Sequence, residues 1–393
     1  MGEYSLSDDE IPEQYLSYKI LYKKQYGINI YLVDNDFYYY TDNVYNDNDF
    51  LKFSFFNRVV YEFIQMNSDL DIVHLNDWHC GLLPKLLQNQ DNVKVVLTIH
   101  NAGYQGYFDN LSCDELKIFS IYYGEEYSSD EINFFKIGVT HCDNVLTVSH
   151  SYIDDGVIPA LKELGIDKKI NGIINGMNPE IYPREYASAE SFLEFKRNAK
   201  VAIQKEYGLQ VNENIPLFVS IGRLFIQKGV DLIIDVIDDL TQDCQLIILG
   251  TGDENYEKTI VNKAKSNKNL VSLIEFNSDI AMKLYQSADM FLMPSLYEPC
   301  GIAQLIAMYY GTVPIVHNVG GLRDTVINYD LENGCGFKYD NQETLEFLNM
   351  INISKEYYKN KDKWIKLVLN ASNHPYIWQN QVKLYLEYYN GIS

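Results

Sequence analysis

The feature that most constrains the fold is an alternation of short, apolar, β-branched runs with longer amphipathic stretches. Runs this short and this apolar are typical of strands buried on both faces of a parallel sheet. The stretches 228–240, 256–265 and 305–310 have the spacing of helices. The runs fall in two series: residues 28–33, 71–75, 93–100 and 144–149, then residues 216–221, 245–250, 269–276, 289–294 and 313–318. The alternation predicts an α/β protein of two doubly wound, Rossmann-like lobes.

The break between the two series lies near residues 208–215, where glycine, asparagine and proline interrupt the pattern. We therefore predict a first lobe over residues 1–208 and a second over residues 209–375. Residues 377–389 carry apolar and aromatic side chains at helical spacing, so residues 376–393 are predicted to hold a closing helix.

The balance of acidic and basic residues argues against some classes of binding partner. With 32 basic and 54 acidic residues, the formal charge is -22, which argues against nucleic acid and against anionic membranes. The six cysteines are scattered, without a C-x-x-C pair, and are expected to be free thiols. The polar, acidic start does not resemble a signal peptide, and no apolar run reaches membrane-spanning length. A soluble, cytoplasmic protein is expected.

Ligands of doubly wound proteins bind at the carboxyl ends of the strands, so the residues that follow each strand are the candidates for ligand binding. In the second series, Glu298 follows a strand and precedes Pro299 and Gly301, which open a helix. A carboxylate there can accept hydrogen bonds from sugar hydroxyls, although it can also be a helix cap. Arg223 and Lys228 follow the strand at 216–221. Two cations at that position suit a diphosphate leaving group.

Glycines and first-series residues complete the candidates. Gly320 and Gly321 permit close approach of backbone to a ligand, although such a pair is also common in turns. In the first series, Asp77 and His100 each follow a strand. The histidines lack the compact spacing of metal ligands, so no metal site is expected. Neither a G-x-S-x-G motif nor a P-loop is present, which leaves hydrolase and NTPase functions without support.

Together these segments resemble bacterial glycogen synthase and plant starch synthase (glycosyltransferase family 5). The resemblance runs from about residue 25 to the C-terminus and rests on a series of motifs in family order: LNDWHCGLLP, TIHNAGYQG, CDNVLTVSHSY, GIINGMN, SIGRLFIQKG, LGTGD, FLMPSLYEPCGIAQLIAMYYGTVPIV and GGLRDT. It implies the glycosyltransferase-B architecture, in which the last helix crosses back to the first lobe. It also implies transfer of glucose from ADP-glucose to the non-reducing end of an α-1,4-glucan, with retention, no cofactor and no required metal.

The resemblance also implies roles for individual residues. Arg223 and Lys228 would hold the donor diphosphate, and Glu298 would contact the donor glucose. His100 would lie by the glucose at the reacting centre, and Asp77 would shape the same pocket from the first lobe. The residues expected to bind substrate are Asn175, Gly301, Gly320, Gly321 and Tyr104.

The chain departs from the family pattern in three places. The Lys-x-Gly-Gly-Leu loop that binds donor phosphates is not found in residues 1–60, so the first lobe is expected to be N-terminally truncated. Asn178 stands where aspartate is usual, and Ala303 where threonine is usual. Two alternatives therefore stay open: a truncated or split synthase that is inactive without a complementing N-terminal fragment, and a non-catalytic glucan-binding or regulatory protein.

Overall fold

A computed structural model describes residues 2–6, 11–40, 43–67, 69–90, 92–184, 186 and 188–392. The chain forms two compact units. The first contains residues 1–147, 156–171 and 387–393, and the second contains residues 148–155 and 172–386. Both units combine parallel strands with helices, which confirms the predicted α/β class. These units are defined by packing, so the domain boundaries at residues 208 and 375 stay predictions.

Among the described residues, the first unit contains a four-stranded, a three-stranded and a two-stranded sheet. Its strands are β1 (Gly2–Ser5), β2 (Ser17–Gln25), β3 (Ile28–Asp34), β4 (Ile72–Asn76), β5 (Lys94–Ile99), β6 (Tyr107–Phe108), β7 (Ile132–Asn133), β8 (Asn144–Thr147) and β9 (Ile170–Gly172). Its helices are α1 (Asp49–Gln65), α2 (Leu83–Leu87), α3 (Cys113–Tyr123), α4 (Phe134–His141) and α5 (Ile158–Glu163). The larger sheet has the order β4-β5-β8-β9, and β5 pairs in parallel with both β4 and β8.

The prediction for residues 28–33 was wrong in one respect. These residues do form a strand, but β3 pairs antiparallel with β2 in a hairpin instead of lying in a parallel sheet. The two-residue turn is Tyr26-Gly27, with φ angles of 52° and 80°, which matches the left-handed turn that tight hairpins favour. Side chains of β3 remain exposed, including Ile28 and Leu32, so its apolar residues do not mark a strand buried on both faces.

Helix α3 shows how local sequence sets the ends of an element. Ser112 accepts a hydrogen bond from the backbone of Glu115, and the Glu115 side chain bonds back to Ser112, which forms a capping box. The helix ends at Gly124, whose φ of 82° is left-handed and is accessible to glycine at little cost. These two residues fix the helix that covers α1 in the first unit.

The second unit is built on a six-stranded parallel sheet. Its strands are β10 (Leu217–Ile221), β11 (Gln245–Leu249), β12 (Leu270–Leu273), β13 (Met290–Met293), β14 (Val313–His317) and β15 (Phe337–Tyr339). Its helices are α6 (Ala189–Glu206), α7 (Val230–Leu240), α8 (Glu254–Ser266), α9 (Ser278–Ser287), α10 (Ala303–Tyr309), α11 (Gly320–Thr325), α12 (Thr344–Lys359), α13 (Lys361–Ser372) and α14 (Trp378–Ile392). The predicted strands and helices of this unit are confirmed.

The strand order of this sheet locates a binding crevice. The order is β12-β11-β10-β13-β14-β15, so the chain moves outward on one side of β10 and then returns to continue on the other side. The connections that leave β10 and β13 therefore diverge, and doubly wound sheets bind ligands at such a point, outside the carboxyl ends of the strands. The segments that follow β10 and β13 therefore border the crevice.

The apolar pattern explains why the central strands lie in the middle of the unit. Every residue of β11, β13 and β14 is buried. Helix α7 buries one face against the sheet with residues at spacings of three and four: Val230, Leu232, Ile233, Val236, Ile237 and Leu240. The opposite face of α7 carries Asp235, Asp238 and Asp239, which are exposed.

Two lysines of α6 are buried at the amino-terminal side of this sheet. The Lys196 ammonium donates to the carbonyl oxygens of Ala288 and Tyr310 and to the Thr312 hydroxyl, at 2.8–2.9 Å. Lys200 forms an ion pair with Asp289 at 2.5 Å. The two lysines thus tie α6 to the starts of β13 and β14.

Burial lowers the pKa of Lys196 to about 7, so its charge should make folding stability depend on pH. The unfolded chain holds this proton up to about pH 10.4 and the folded chain only to about pH 7. Stability from this group is therefore present at alkaline pH and is lost as pH falls towards 7. The test compares the free energies of unfolding of the wild type and of Lys196→Met. Their difference (wild type minus variant) should rise by about 1–2 kcal/mol between pH 7 and pH 8.5. Urea denaturation at each pH measures it, and the exposed control Lys258→Met should show a flat difference.

Helix α14 lies where the sequence predicted helical spacing, at residues 377–389. Residues up to 386 belong to the second unit, whereas residues 387–392 pack with the first unit. There the Tyr389 hydroxyl is hydrogen-bonded to Nδ1 of His74, on β4. Among the described residues, no helix has the length and apolar character needed to cross a membrane.

Candidate active site

An ion pair lies at the crevice of the second unit. The Lys228 Nζ atom donates to Oε2 of Glu298 at 2.6 Å, and Ser295 Oγ donates to the same oxygen at 3.1 Å. Lys228 lies at the end of a short 3-10 helix after β10, and Glu298 lies in the loop after β13. The two predicted residues, seventy positions apart in the chain, are thus brought together at the predicted edge of the sheet.

Close backbone packing explains how Lys228 reaches Glu298. Gly229 has a φ of 67°, and a Cβ atom at this position would lie 2.0 Å from the Pro294 carbonyl oxygen. Only glycine lets the loop after β10 approach the end of β13 so closely. The backbone amide of Leu296 also donates to the Gln227 carbonyl at 2.9 Å. The two loops are therefore fastened together on either side of the ion pair.

The side chain of Glu298 keeps one oxygen available. Its side chain is 9% exposed, and the hydrogen bonds it receives from the described residues all reach Oε2. Because a carboxylate has two acceptor oxygens, Oε1 can accept from a ligand hydroxyl while Oε2 stays bonded to Lys228.

Arg223 supplies a second cation on the loop after β10. It is exposed, its guanidinium lies 5.9 Å from the centre of the Phe225 ring, and among the described residues it has no ion-pair partner. An exposed guanidinium keeps its donors available for an anion. Arg223 and Lys228 thus give this edge of an acidic protein a local positive charge.

Gly320 and Gly321 pack α11 against the loop of Glu298. A Cβ atom on Gly320 would lie 2.2 Å from the Glu298 carbonyl oxygen, and one on Gly321 would lie 2.2 Å from that of Cys300. The Gly321 amide donates to the Glu298 carbonyl at 2.9 Å. The approach that these glycines permit is therefore to another backbone segment of the site. Direct substrate binding by them stays a prediction.

The amide of Gly320 already has an acceptor. It donates to Oδ2 of Asp155 at 2.8 Å, and Arg323 pairs with the same carboxylate at 3.3 Å. Ser151 also bonds to Asp324 through its backbone amide, at 2.8 Å. Residues 148–155 are thus fastened to α11 within the second unit, which the sequence did not suggest.

Asn175 contacts the loop that contains Glu298, because its backbone is hydrogen-bonded to the thiol of Cys300. Burial raises the pKa of the Cys300 thiol to about 12, and a hydrogen bond from the backbone of Asn175 opposes this shift only in part. Cys300 therefore stays protonated near neutral pH and is poorly suited as a nucleophile. Gly301, which follows, has a φ of 73° and carries the chain into α10.

Asp77 organises the candidate residues of the first unit. It follows β4, and its Oδ1 accepts from the backbone amides of His100 at 2.7 Å and Asn101 at 3.3 Å, which follow β5. Its backbone has a φ of 59° and a ψ of -178°, a region that glycine adopts readily and that costs any other residue about 1–3 kcal/mol. Asp77 thus holds the loop after β5 in place, and it does so from a strained backbone.

The side chain of His100 is oriented by Asn76. Nε2 of His100 lies 2.8 Å from Oδ1 of Asn76, so Nε2 carries the donated proton and Nδ1 remains an acceptor in the neutral ring. Tyr104, four residues on, is 55% exposed and donates its backbone amide to the Asn101 carbonyl. The predicted residues of this unit therefore lie together at the carboxyl ends of β4 and β5.

Two contributors were missed by the sequence reasoning. Ser295 shares Glu298 with Lys228, and Asn76 orients His100. Asn76 ends β4 and Ser295 lies two residues after β13, so the rule that led to their neighbours could have found them. Short polar side chains at such ends are common, which is why neither one stood out.

Comparison with known families shows what the chain is similar to. Residues 4–172 match the family model described as the starch synthase catalytic domain, and residues 203–366 match that of glycosyl transferases group 1. Over 400 residues the chain is 36% identical to a glycogen synthase of Clostridium beijerinckii, covering 93% of this chain and 83% of that protein. A glycogen synthase of Bacillus cereus is 36% identical over 412 residues, covering 95% and 84%.

A solved structure shows the same architecture. The chain is similar to the catalytic domain of starch synthase IV from Arabidopsis thaliana, bound to ADP and acarbose, with a TM-score of 0.83 and 25% identity. The alignment covers 99% of this chain and 86% of that one. Lower-identity matches, such as a sucrose-phosphate synthase from Thermosynechococcus elongatus with a TM-score of 0.64, agree on the fold.

Proposed function

Because the chain belongs to the family of bacterial glycogen synthases and plant starch synthases, we propose that it is a retaining glucosyltransferase that moves glucose from ADP-glucose to an α-1,4-glucan. Glucose would be added at the non-reducing end of the acceptor. The observation that carries the proposal is the Lys228–Glu298 pair at the crevice of the second unit, with Arg223 on the same loop as Lys228. ADP as the nucleotide is supported by the similar starch synthase, which was solved with ADP.

The proposed chemistry depends on charge that develops on the leaving group. As the bond between glucose and diphosphate breaks, negative charge grows on the phosphate oxygens, and fixed cations stabilise it. Lys228 has three donor hydrogens and uses one for Glu298, so two remain for phosphate oxygens. Arg223 adds a planar group with five donors, which matches phosphate geometry.

Glu298 would orient the donor sugar. Its Oε1 would accept a hydroxyl of the glucose, while the bonds from Lys228 and Ser295 fix the carboxylate through Oε2. One carboxylate would thus link the position of the sugar to the cation that receives the leaving group. Such linked positioning accelerates a reaction by holding the reacting atoms in place.

Retention is proposed to occur by attack on the same face, through a short-lived oxocarbenium–diphosphate ion pair. A double displacement needs a free carboxylate nucleophile. Asp77, the other carboxylate among the predicted residues, already has a structural task, because its Oδ1 anchors the amides of His100 and Asn101. Positioning and electrostatic stabilisation, which the ion-pair route needs, are what Arg223, Lys228 and Glu298 offer. Trapping of a covalent glucosyl-enzyme would overturn this route.

The comparisons do not favour the two alternatives. Relatives named glycogen synthase match over more than nine-tenths of this chain and more than four-fifths of their own length. A non-catalytic glucan-binding protein would not need to keep both cations and Glu298. A complementing N-terminal fragment has no support in the comparisons.

The direct test is transfer of labelled glucose from ADP-glucose to glycogen by the purified chain, with UDP-glucose in parallel. We expect incorporation from ADP-glucose that falls at least about 100-fold in Glu298→Ala, because the sugar loses its orienting acceptor. The exposed Glu254 of α8, which pairs with Lys258, provides the control Glu254→Ala, and this variant should keep wild-type activity. If the folded wild type binds glycogen and transfers no glucose, the synthase proposal is wrong.

A further inference from the structure

Gln304, the second residue of α10, makes an unusual set of contacts beneath the loop of Glu298. Its side chain is fully buried, with 0% exposure. Its Nε2 atom lies 3.0 Å from the Cys300 carbonyl oxygen, 2.9 Å from that of Gly301 and 3.1 Å from Thr325 Oγ1. One side-chain amide therefore holds two carbonyls of the loop and one hydroxyl of α11.

The contacts continue from Thr325 back to Glu298. Thr325 Oγ1 donates to the Gly321 carbonyl at 2.6 Å, and the Gly321 amide donates to the Glu298 carbonyl at 2.9 Å. Thr325 is 1% exposed, so little water can compete for these bonds. In a dry interior these hydrogen bonds are strong and favour one backbone arrangement.

The carbonyl oxygen of the Gln304 side chain is buried at a cost in stability. Its Oε1 atom is buried and, within the described part of the chain, accepts no hydrogen bond. Such an orphaned acceptor destabilises the fold, and an aliphatic side chain of similar size would avoid this cost. Oε1 also fills the space where a Cβ atom on Gly301 would stand, at 2.3 Å. A local cost of this kind is found where function requires a particular group.

We propose that Gln304 is a positioning residue for glucose transfer. Its amide hydrogens hold the backbone of residues 298–301, and through that backbone they hold the Glu298 carboxylate against Lys228. Gln304 does not touch the substrate. The inference rests on the proposed function, because its readout is the transfer reaction.

Two substitutions separate the donor hydrogens from the bulk of the side chain. Gln304→Met keeps the length and removes both donors, so kcat should fall about 10–100-fold, as expected when reacting groups shift by up to 1 Å. KM for ADP-glucose should change less, since Arg223 and Lys228 remain. Gln304→Glu keeps the shape, and its protonated form regains one donor hydrogen. Its kcat should therefore recover as pH falls from 8.5 to 6, relative to wild type at each pH.

A matched control is Gln245→Glu, on β11. Gln245 is also 0% exposed, donates to the Gln210 carbonyl at 2.8 Å and accepts from Gln204 at 2.8 Å, so the same change is made at equal burial. It should lower the melting temperature and leave kcat and its pH profile unchanged. If Gln304→Met does not fold, Thr325→Val breaks the same network at its hydroxyl and should lower kcat about 3–10-fold.

The outcomes are distinct. The positioning role is supported if the wild type is active, kcat is reduced in the Gln304 variants, and the kcat of Gln304→Glu recovers as pH falls. If the wild type is active and folded Gln304→Met has a kcat within about twofold of it, the positioning role is wrong. It is also wrong if the control Gln245→Glu loses as much kcat as the Gln304 variants. Absence of transfer by folded wild type contradicts the proposed function instead.

Discussion

Replacing Lys228 with methionine is expected to lower kcat for glucose transfer by about 10²–10³-fold, which corresponds to about 2.7–4 kcal/mol of transition-state stabilisation. Methionine keeps most of the length of lysine and removes its charge. The leaving diphosphate would then gain negative charge with Arg223 as the remaining cation on that loop. Steady-state kinetics with saturating glycogen and varied ADP-glucose measures the loss.

A second variant separates electrostatics from disorder of Glu298. In Lys228→Met the nearly buried Glu298 carboxylate keeps only Ser295 as a donor among the described residues, so stability should also fall. Adding Glu298→Gln removes the uncompensated charge, and the double variant should regain stability while staying inactive. Lys263→Met, at an exposed pair with Asp238, controls for the loss of one surface charge. Activity of folded Lys228→Met within threefold of wild type would show that the lysine does not serve the leaving group.

Much of the second unit could be predicted from the sequence, because its signals are local. The runs at 216–221, 245–250 and 313–318 became β10, β11 and β14 within a residue or two, since strands buried on both faces must be continuously apolar. Their alternation with helices then places Arg223, Lys228 and Glu298 at one edge of the sheet. The local pattern therefore predicted where the candidate site lies.

The remaining features depend on contacts that no local pattern records. The run at 28–33 is apolar, yet β3 lies in an antiparallel hairpin, because a two-residue turn at Tyr26-Gly27 carries no strong hairpin signature. Gly320 and Gly321 could be taken for ligand contacts, whereas their space is needed by the backbone of Glu298 and Cys300. The pairing partner of Lys228 also depends on which two loops meet, which follows from strand order.

The second large effect is expected at Asp77 in the first unit. Asp77→Ala removes the acceptor for the amides of His100 and Asn101 and leaves alanine at a φ of 59°. The strain is common to both residues, so the loss comes from the two unsatisfied amides, which should lower the free energy of unfolding by about 2–4 kcal/mol. Because His100 would lose its fixed position, kcat should fall by about 10²-fold.

Two further substitutions identify which part of Asp77 matters. Asp77→Asn keeps an acceptor oxygen on a side chain of the same size, with the same backbone strain as the wild type. Its free energy of unfolding should therefore stay within about 1 kcal/mol of wild type, and its kcat within a few fold. Asp77→Gly relieves the strain without restoring the acceptor, so it should regain stability relative to alanine and remain slow. Urea denaturation and transfer kinetics on the same preparations give both quantities. If Asp77→Asn were as slow as Asp77→Ala, the negative charge itself would be required, and anchoring of the His100 loop would not be the role of Asp77.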